Sequence, residues 1–187
     1  MHKKNEVFEI LRVGVILFVI TAVAAFVLAK VNDITAPIIA EQESFKMEEA
    51  MKEVLPNADF FEEVPLELSE DIALSRIYKS DAGFVVFAIP KGYGGEISMA
   101  VGIDNDLKVT GISIISQGET AGLGAKCTEP EWQKQFIGKT ENIEVSKNGA
   151  SGNQIDAISS ATITSRAVTK GVNEAIQAVK VLLGGDK

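Results

Sequence analysis

The sequence predicts an α+β fold: one apolar N-terminal helix, followed by a domain in which helices pack on an antiparallel sheet. The first observation is an uncharged, apolar run from Val13 to Ala29. The second is a series of short runs rich in Val, Ile and Phe between residues 74 and 116, separated by turn residues. The third is a helical spacing of apolar residues between 167 and 183, which places them on one helix face.

Composition restricts the chemistry that the chain can perform by itself. The 187 residues carry a formal net charge of −8 and include one cysteine and one histidine. An acidic chain of this kind is not expected to bind nucleic acid. Cys127 alone forms neither an internal disulfide nor an all-cysteine metal site, and His2 lies in a basic tail, so histidine catalysis and histidine-ligated zinc are excluded. Any chemistry here therefore needs a cofactor or a partner.

The uncharged run predicts a single transmembrane helix at residues 13–30, since about 20 apolar residues span a bilayer. Lys3, Lys4 and Arg12 precede the run. The positive-inside rule therefore places residues 1–12 in the cytoplasm, as a basic tail, and the rest of the chain on the outer, periplasmic side of the cell (inner) membrane. A cleaved signal peptide is the alternative, because it has the same basic start and apolar core.

The segment 31–72 is predicted to contain a helical linker and an irregular stretch. Pro37 is expected to break the chain after the membrane helix. A second helix is predicted from Ile38 to Leu55, where apolar residues share one side, and it ends because the next residue is a proline. The acidic stretch from Asn57 to Asp71 is predicted to be irregular.

Residues 73–187 form the predicted domain. Four strands are expected to make an antiparallel meander: Leu74–Lys79, Gly83–Ile89, Glu96–Ile103 and Lys108–Ser116. They are followed by a helical segment and two short extended pieces, at Glu129–Phe136, Ile143–Val145 and Gln154–Ile158. The final helix begins near Thr164, stops at Gly184-Gly185 and buries its apolar face on the sheet.

A hydroxyl-rich stretch, Asp156–Ser165, opens the final helix. A helix N-terminus presents free N–H groups and the positive end of the helix dipole, so it binds phosphate well. A threonine hydroxyl placed there can contact a phosphate or be esterified by one. The alternative is that Thr162 or Thr164 only caps the helix, which is the commonest role of Ser and Thr at such a position.

Two glycine-rich loops lie among the predicted strands, at Gly92–Gly95 and Gly118–Gly124. Three glycines in each loop allow the backbone to approach another group closely, and the N–H groups of the second loop can line an anion or a planar ligand. The second loop matches neither a Walker A motif nor a dinucleotide fingerprint. Taken alone, either loop can be an ordinary connection.

The order of these motifs resembles the FMN-binding domain family. The resemblance rests on the N-terminal span, Gly-Tyr-Gly-Gly at 92–95, Glu-Thr-Ala-Gly-Leu-Gly at 119–124, Glu131-Trp132 and Asp-x-x-Ser-Ser-Ala-Thr-x-Thr-Ser at 156–165. Within this family the sequence is most similar to the G subunits of the Rnf complex, an ion-translocating ferredoxin:NAD oxidoreductase. It is also related to the C subunits of the sodium-pumping NADH:quinone oxidoreductase.

The resemblance implies a covalent cofactor. In the family, the last threonine of a Ser/Thr-Gly-Ala-Thr motif carries FMN through a phosphoester, and here that residue is Thr162. Ser160 stands where glycine is usual, and Ala121 stands where proline is frequent. Further cofactor contacts are expected from both loops and from the start of the helix: Tyr93, Gly94, Gly95, Glu119, Thr120, Leu123, Gly124, Ser160, Ala161 and Thr164.

The resemblance also implies partners and a role. A flavin transferase using FAD would attach the FMN and would recognise a sequence that includes Asp156, whose alternative role is a turn residue. The other integral and peripheral Rnf subunits would be its partners. The chain would transfer electrons at the outer membrane face, with no metal and no complete active site of its own. A C subunit of the quinone reductase and a non-redox, membrane-anchored binding domain are the alternatives. Trp132 would contact the flavin or, alternatively, belong to the core.

Overall fold

The computed structural model describes residues 2–65 and 73–184. Its helices are α1 (His2–Val54), α2 (Pro130–Gln133) and α3 (Thr162–Gly184), with 3-10 turns at Gly124–Thr128 and Lys134–Phe136. Its strands are β1 (Glu62–Val64), β2 (Leu74–Lys79), β3 (Gly83–Ala88), β4 (Ile97–Asp104), β5 (Val109–Gln117), β6 (Glu144–Ser146) and β7 (Gln154–Asp156). The chain divides into two compact units, residues 1–45 and 46–187. The α+β prediction is confirmed.

The N-terminal unit is helical throughout its described residues. Within the described part of the chain, α1 is the one helix that is long and apolar enough to cross a membrane, judged by length and composition. Thr21 lies within the apolar run, and its hydroxyl is paired inside the helix, donating to the carbonyl oxygen of Leu17 at 3.0 Å. A lipid environment requires such internal pairing. The orientation of the helix stays a prediction.

The prediction that Pro37 breaks the helix is wrong. Helix α1 continues through Pro37 and ends at Val54. A proline inside a helix removes one backbone hydrogen bond, because it lacks the N–H group, and its ring crowds the preceding turn. The turns on both sides of Pro37 keep helical geometry, so this loss stays local. The predicted end of the second helix, next to Leu55, is correct to within one residue.

The main sheet is antiparallel throughout, with the order β1-β2-β3-β4-β5. Strands β2 to β5 are the four strands of the predicted meander, each within one residue of its expected bounds. The predicted irregular stretch is wrong at Glu62–Val64, which forms the edge strand β1 and pairs with Ile77–Lys79. Residues 66–71 of that stretch, and Gly185 of the predicted helix stop, lie outside the described residues.

The sheet of the second unit is covered on both faces. On one face, Val86 and Val101 belong to the larger core, together with the apolar stripe of α3 that includes Val172 and Ile176. On the other face, Val85 and Phe87 pack with the last turns of α1 and with Leu55. All six residues of β3 are buried, which explains the continuous apolar run in its sequence. The result is a helix–sheet–helix sandwich within residues 46–187.

Gly102 allows the end of α1 to approach the sheet. A Cβ atom at Gly102 would collide with the carbonyl oxygen of Val54, to which the Thr110 hydroxyl also donates a hydrogen bond at 2.5 Å. The nearby Gly111 is less crowded, because a Cβ there would meet the Cα of Val54 at 3.4 Å.

We therefore expect Gly102→Ala to lower the free energy of unfolding by about 1–3 kcal/mol, the usual cost of overpacking a core. Gly111→Ala is the matched control and should cost clearly less. Denaturant unfolding of the purified, detergent-solubilised protein checks both values. Equal destabilisation by the two variants would show that the approach of Val54 does not govern this position.

Candidate functional site

The chain enters α3 through a tight turn that Ser165 holds in place. The Ser165 hydroxyl accepts a hydrogen bond from the backbone N–H of Ile158 at 2.9 Å and donates to the carbonyl oxygen of Ala161 at 3.0 Å. That carbonyl also accepts the backbone N–H of Ser165 at 3.0 Å, so Ala161 is the residue that begins the helical bonding. Ser165 is fully buried and did not figure among the predicted site residues.

Ser160 occupies the strained position of this turn, with φ of 63°. A residue with a Cβ in this left-handed region is less stable than glycine by roughly 1–2 kcal/mol. Glycine at this position would adopt the same φ without that cost. Ser160 is exposed, so the turn has room for its side chain.

We expect Ser160→Gly to stabilise the protein by about 0.5–1 kcal/mol, because the relief of strain exceeds the added entropy of the unfolded chain. The neighbouring Ser159 is also exposed and has no positive φ, so Ser159→Gly is the matched control and should be neutral or destabilising. Thermal unfolding of both variants measures the difference. A lower melting temperature for Ser160→Gly than for Ser159→Gly would contradict the strain argument.

The two threonines of the motif have different environments. Thr164 is 1% exposed, and its hydroxyl donates to Oε2 of Glu119 at 2.5 Å. Thr162, the first residue of α3, is half-buried, and its hydroxyl has no hydrogen-bond partner among residues 2–65 and 73–184. Neither hydroxyl bonds to an N–H group of the first helical turn. The capping interpretation of these threonines therefore has no support in the structure.

The N-terminus of α3 presents backbone N–H groups that can donate hydrogen bonds. No hydrogen bond in the described part of the chain uses the N–H groups of Thr162, Ile163 or Thr164. These groups coincide with the positive end of the dipole of a 23-residue helix. The start of α3 is therefore suited to bind an anion such as phosphate.

Glu119 connects both glycine loops to α3. Its Oε1 accepts the backbone N–H of Gly94 at 2.9 Å, and its Oε2 accepts the hydroxyl of Thr164. The backbone N–H of Glu119 in turn donates to Oε1 of Gln117 at 2.6 Å. The Glu119 side chain is buried, so these bonds replace those that water would make. One carboxylate thus ties together three segments that are distant in sequence.

The glycines of the two loops make room for this carboxylate and for each other. A Cβ at Gly92 or at Gly124 would collide with carboxylate oxygens of Glu119. A Cβ at Gly94 would collide with the carbonyl oxygen of Gly118. Close backbone approach was predicted for these loops, but in the structure the group approached is part of the protein itself.

A cavity of about 540 Å³ opens beside this arrangement, within the usual range for small-molecule sites. Its lining includes eight of the predicted residues: Tyr93, Glu119, Thr120, Leu123, Ser160, Ala161, Thr162 and Thr164. The predicted residues Gly94, Gly95 and Gly124 are not part of the lining. Gly94 and Gly124 lie against Glu119, and Gly95 accepts the backbone N–H of Gly92 at 2.7 Å.

Three of the residues that line the cavity carry exposed aromatic or aliphatic side chains. Tyr93 is 72% exposed, Ile163 is 56% exposed and Leu123 is 42% exposed. The sequence analysis did not include Ile163 among the site residues. Its position between Thr162 and Thr164 places it outside the apolar stripe of α3, and this could have indicated an exposed apolar residue at the site. Exposed apolar groups at the mouth of a cavity are typical of a ligand or partner site.

Three other residues considered from the sequence lie outside the cavity lining. Trp132 is buried, packs edge-to-face on Phe136 and donates its indole N–H to the carbonyl oxygen of Asp156 at 2.8 Å, so the core interpretation is confirmed. Asp156 is exposed at the end of β7. Burial, and secondarily the negative charge of Glu119, raise the pKa of Cys127 to about 11, so its thiol stays protonated at neutral pH.

The sequence comparison identifies the class of domain to which the cavity belongs. Residues 92–177 match the family model described as FMN-binding domain, and residues 1–54 match the model described as RnfG N-terminal region. The motif resemblance found in the sequence is thereby confirmed.

Relatives with long alignments define the family more closely. The chain is 41% identical to the G subunit of the Na(+)-translocating ferredoxin:NAD(+) oxidoreductase complex of Acetobacterium woodii, over 90% of both chains. It is 35% identical to the G subunit of the proton-translocating complex of Clostridium ljungdahlii, over 87% of this chain and 88% of that one. The chain belongs to the family of G subunits of ion-translocating ferredoxin:NAD(+) oxidoreductase complexes.

A solved structure is also similar, that of the C subunit of the Na(+)-translocating NADH-quinone reductase of Parabacteroides distasonis. The identity is 28%, the TM-score is 0.48, and the match covers 57% of this chain and 61% of that chain.

Proposed function

We propose that this chain is the electron-transfer G subunit of a membrane-bound Rnf complex and carries FMN as a phosphoester on Thr162. One observation carries the proposal: the hydroxyl of Thr162 has no hydrogen-bond partner among the described residues, lines the cavity and lies at the start of α3, whereas the hydroxyl of Thr164 is buried and bonded to Glu119. Of the two threonines, Thr162 alone is available for a covalent bond.

The residues present fit the phosphate end of FMN. The N–H groups of Thr162, Ile163 and Thr164 supply donors without partners in the described part of the chain, and the helix dipole supplies positive potential. The phosphoester retains a negative charge, which these groups stabilise. The hydrogen bonds of Ser165 hold the turn that leads to Thr162, and Thr162 lines the cavity.

The cavity walls fit a planar, partly apolar group. Tyr93 offers an aromatic face, Leu123 offers apolar surface, and Thr120 offers a hydroxyl. When bound, FMN supplies the redox chemistry, because it accepts and donates electrons singly or in pairs. The protein residues hold the group, exclude part of the water and set the local charge. The ester prevents the cofactor from dissociating on the outer side of the membrane.

Attachment needs a separate enzyme, for which we propose a flavin transferase that uses FAD. A threonine hydroxyl is a weak nucleophile without an adjacent base, and the Thr162 hydroxyl has no such partner among the described residues. The exposed carboxylate of Asp156, six residues before Thr162, is accessible to such an enzyme. Its exposure supports recognition from outside rather than a role in the local turn.

The remaining parts of the chain support membrane docking. We propose that α1 anchors the protein and packs against integral subunits of the complex, because its side chains from Leu11 to Leu28 include many exposed apolar groups. Lys3, Lys4 and Arg12 precede the apolar run at residues 13–29, and by the positive-inside rule they support a cytoplasmic N-terminus and a cavity domain on the outer side.

The function is tested in the assembled complex with Thr162→Ala. We expect ferredoxin-dependent reduction of NAD⁺ by membranes to fall to background, because the electron path through this chain is interrupted. Thr162→Ser is the matched control and should retain activity, since serine can also be esterified. Assembly is checked by the co-purification of the other subunits. Full activity in an assembled Thr162→Ala complex would refute the proposed role.

A further inference from the structure

Glu119 is a buried carboxylate whose charge is not balanced by a cation in the described structure. Its side chain is 9% exposed, and its two oxygens accept from a backbone N–H group and a hydroxyl, both uncharged donors. None of the ion pairs between described residues includes it. Burial raises the pKa of the nearby Cys127 thiol, and Glu119 adds to that effect.

The local structure explains how this charge is tolerated. The bond to Thr164 brings the carboxylate to the third residue of α3, where the positive end of the helix dipole stabilises a negative group. The hydrogen bonds from Gly94 and Thr164 hold the carboxylate in one orientation. Gly92 and Gly124 pack so closely against the carboxylate that a Cβ at either position would collide with it. The charge is therefore fixed in position.

Glu119 also lines the 540 Å³ cavity, together with Tyr93 and Thr162. Any group in that cavity lies next to a fixed negative charge in a partly dehydrated wall, where electrostatic effects are stronger than in water. Reduction adds electrons to a flavin, and a neighbouring negative charge opposes the added charge.

We propose that Glu119 lowers the reduction potential of the flavin held in this cavity. The inference rests on the proposed function, because it requires FMN in the cavity. It adds no reaction step: the electrons come from the donor of the complex and pass to its acceptor, and Glu119 changes only the energy at which the flavin accepts them. Glu119 is thus a tuning residue, distinct from Thr162, which holds the cofactor.

The test is the midpoint potential of the flavin in the purified, flavin-loaded full-length protein, measured by spectroelectrochemical titration. Glu119→Gln removes the charge and keeps the size. The new amide oxygen can accept the N–H of Gly94, and the new amide nitrogen can donate to the Thr164 hydroxyl, which rotates to accept it. We expect a more positive potential in this variant and no shift in Glu63→Gln, which removes a carboxylate on the edge strand β1.

A second variant separates charge from structural disturbance. Thr164→Val keeps the shape at position 164 and the charge on Glu119, but removes the hydroxyl that donates to it. The less stabilised carboxylate should leave the potential unchanged or make it more negative. The expected result is therefore a more positive potential in Glu119→Gln together with an unchanged or more negative potential in Thr164→Val, whereas a merely loosened site would make both potentials more positive.

Each outcome decides the proposal. An unchanged or more negative potential in a flavin-loaded Glu119→Gln variant would overturn it, as would a folded variant that fails to load flavin, since Glu119 would then act in loading. If Glu119→Gln does not fold, a more positive potential in Thr164→Val overturns the proposal, and an unchanged or lower one supports it. Absence of covalent flavin from the wild-type protein is a separate result, which would refute the proposed function itself.

Discussion

Thr162→Ala is expected to abolish covalent flavin completely while leaving the fold intact. Alanine has no hydroxyl to esterify, and as the best helix former it is well tolerated at the first residue of α3. Thr164 does not replace it, because its hydroxyl is 1% exposed and bonded to Glu119. The measurement is flavin fluorescence of the protein band on a denaturing gel, after expression together with the flavin transferase.

Two control variants test whether the loss of flavin is specific to the hydroxyl of Thr162. Thr162→Ser should keep a fluorescent band, since a hydroxyl remains at the same place. Thr164→Val should also keep it, because only the bond to Glu119 is lost. A fluorescent band from folded Thr162→Ala, at the wild-type intensity, would move the attachment point to another residue.

Gly124→Ala is expected to disrupt the contact between the second glycine loop and α3. The new Cβ would meet Oε2 of Glu119 and the hydroxyl oxygen of Thr164 at 2.5 and 2.7 Å, so one of the two side chains must move. Movement breaks their hydrogen bond and leaves buried polar groups without partners. We expect a loss of about 2–4 kcal/mol in the free energy of unfolding, from overpacking and unsatisfied polar groups together.

Gly118→Ala is the matched control for this prediction. It adds the same methyl group at the start of the same loop, where a Cβ would meet the carbonyl oxygen of Gly94 at 3.6 Å, an ordinary contact. Denaturant unfolding and the yield of covalent flavin are measured for both variants. If Gly124→Ala matches the wild-type protein in both, the packing around Glu119 is looser than the structure describes.

Local signals predicted most of the fold. The signals for β2 and β3 are local: an alternation in β2, a dense apolar run in β3 and turn residues between them. The bounds of both strands were therefore predicted to within one residue. Strand β1 has three residues with two exposed glutamates, and it is a strand only because it pairs with Ile77–Lys79. The continuation of α1 through Pro37 was missed because the local rule for proline states a cost and does not forbid the helix.

The sequence predicted most of the residues that form the site, but not the hydrogen bonds between them. Its motifs identified eight residues that line the cavity. The hydrogen bond between Glu119 and Thr164 joins residues 45 positions apart, and no spacing rule reveals it. Ser165 was missed as well, because a buried hydroxyl that holds a turn has the same sequence appearance as any serine in a hydroxyl-rich stretch. Long-range contacts of this kind require the folded structure.

The most direct measurement is the mass of the tryptic peptide Asn148–Arg166 from the native protein, purified from its own membrane. Cleavage after Lys147 and Arg166 releases the whole motif in one piece. We expect this peptide to carry the mass of one FMN less one water, and fragmentation to place that mass on Thr162. A peptide of unmodified mass, or a flavin located on Ser159, Ser160 or Thr164, would contradict the assignment of Thr162 as the residue that holds the cofactor.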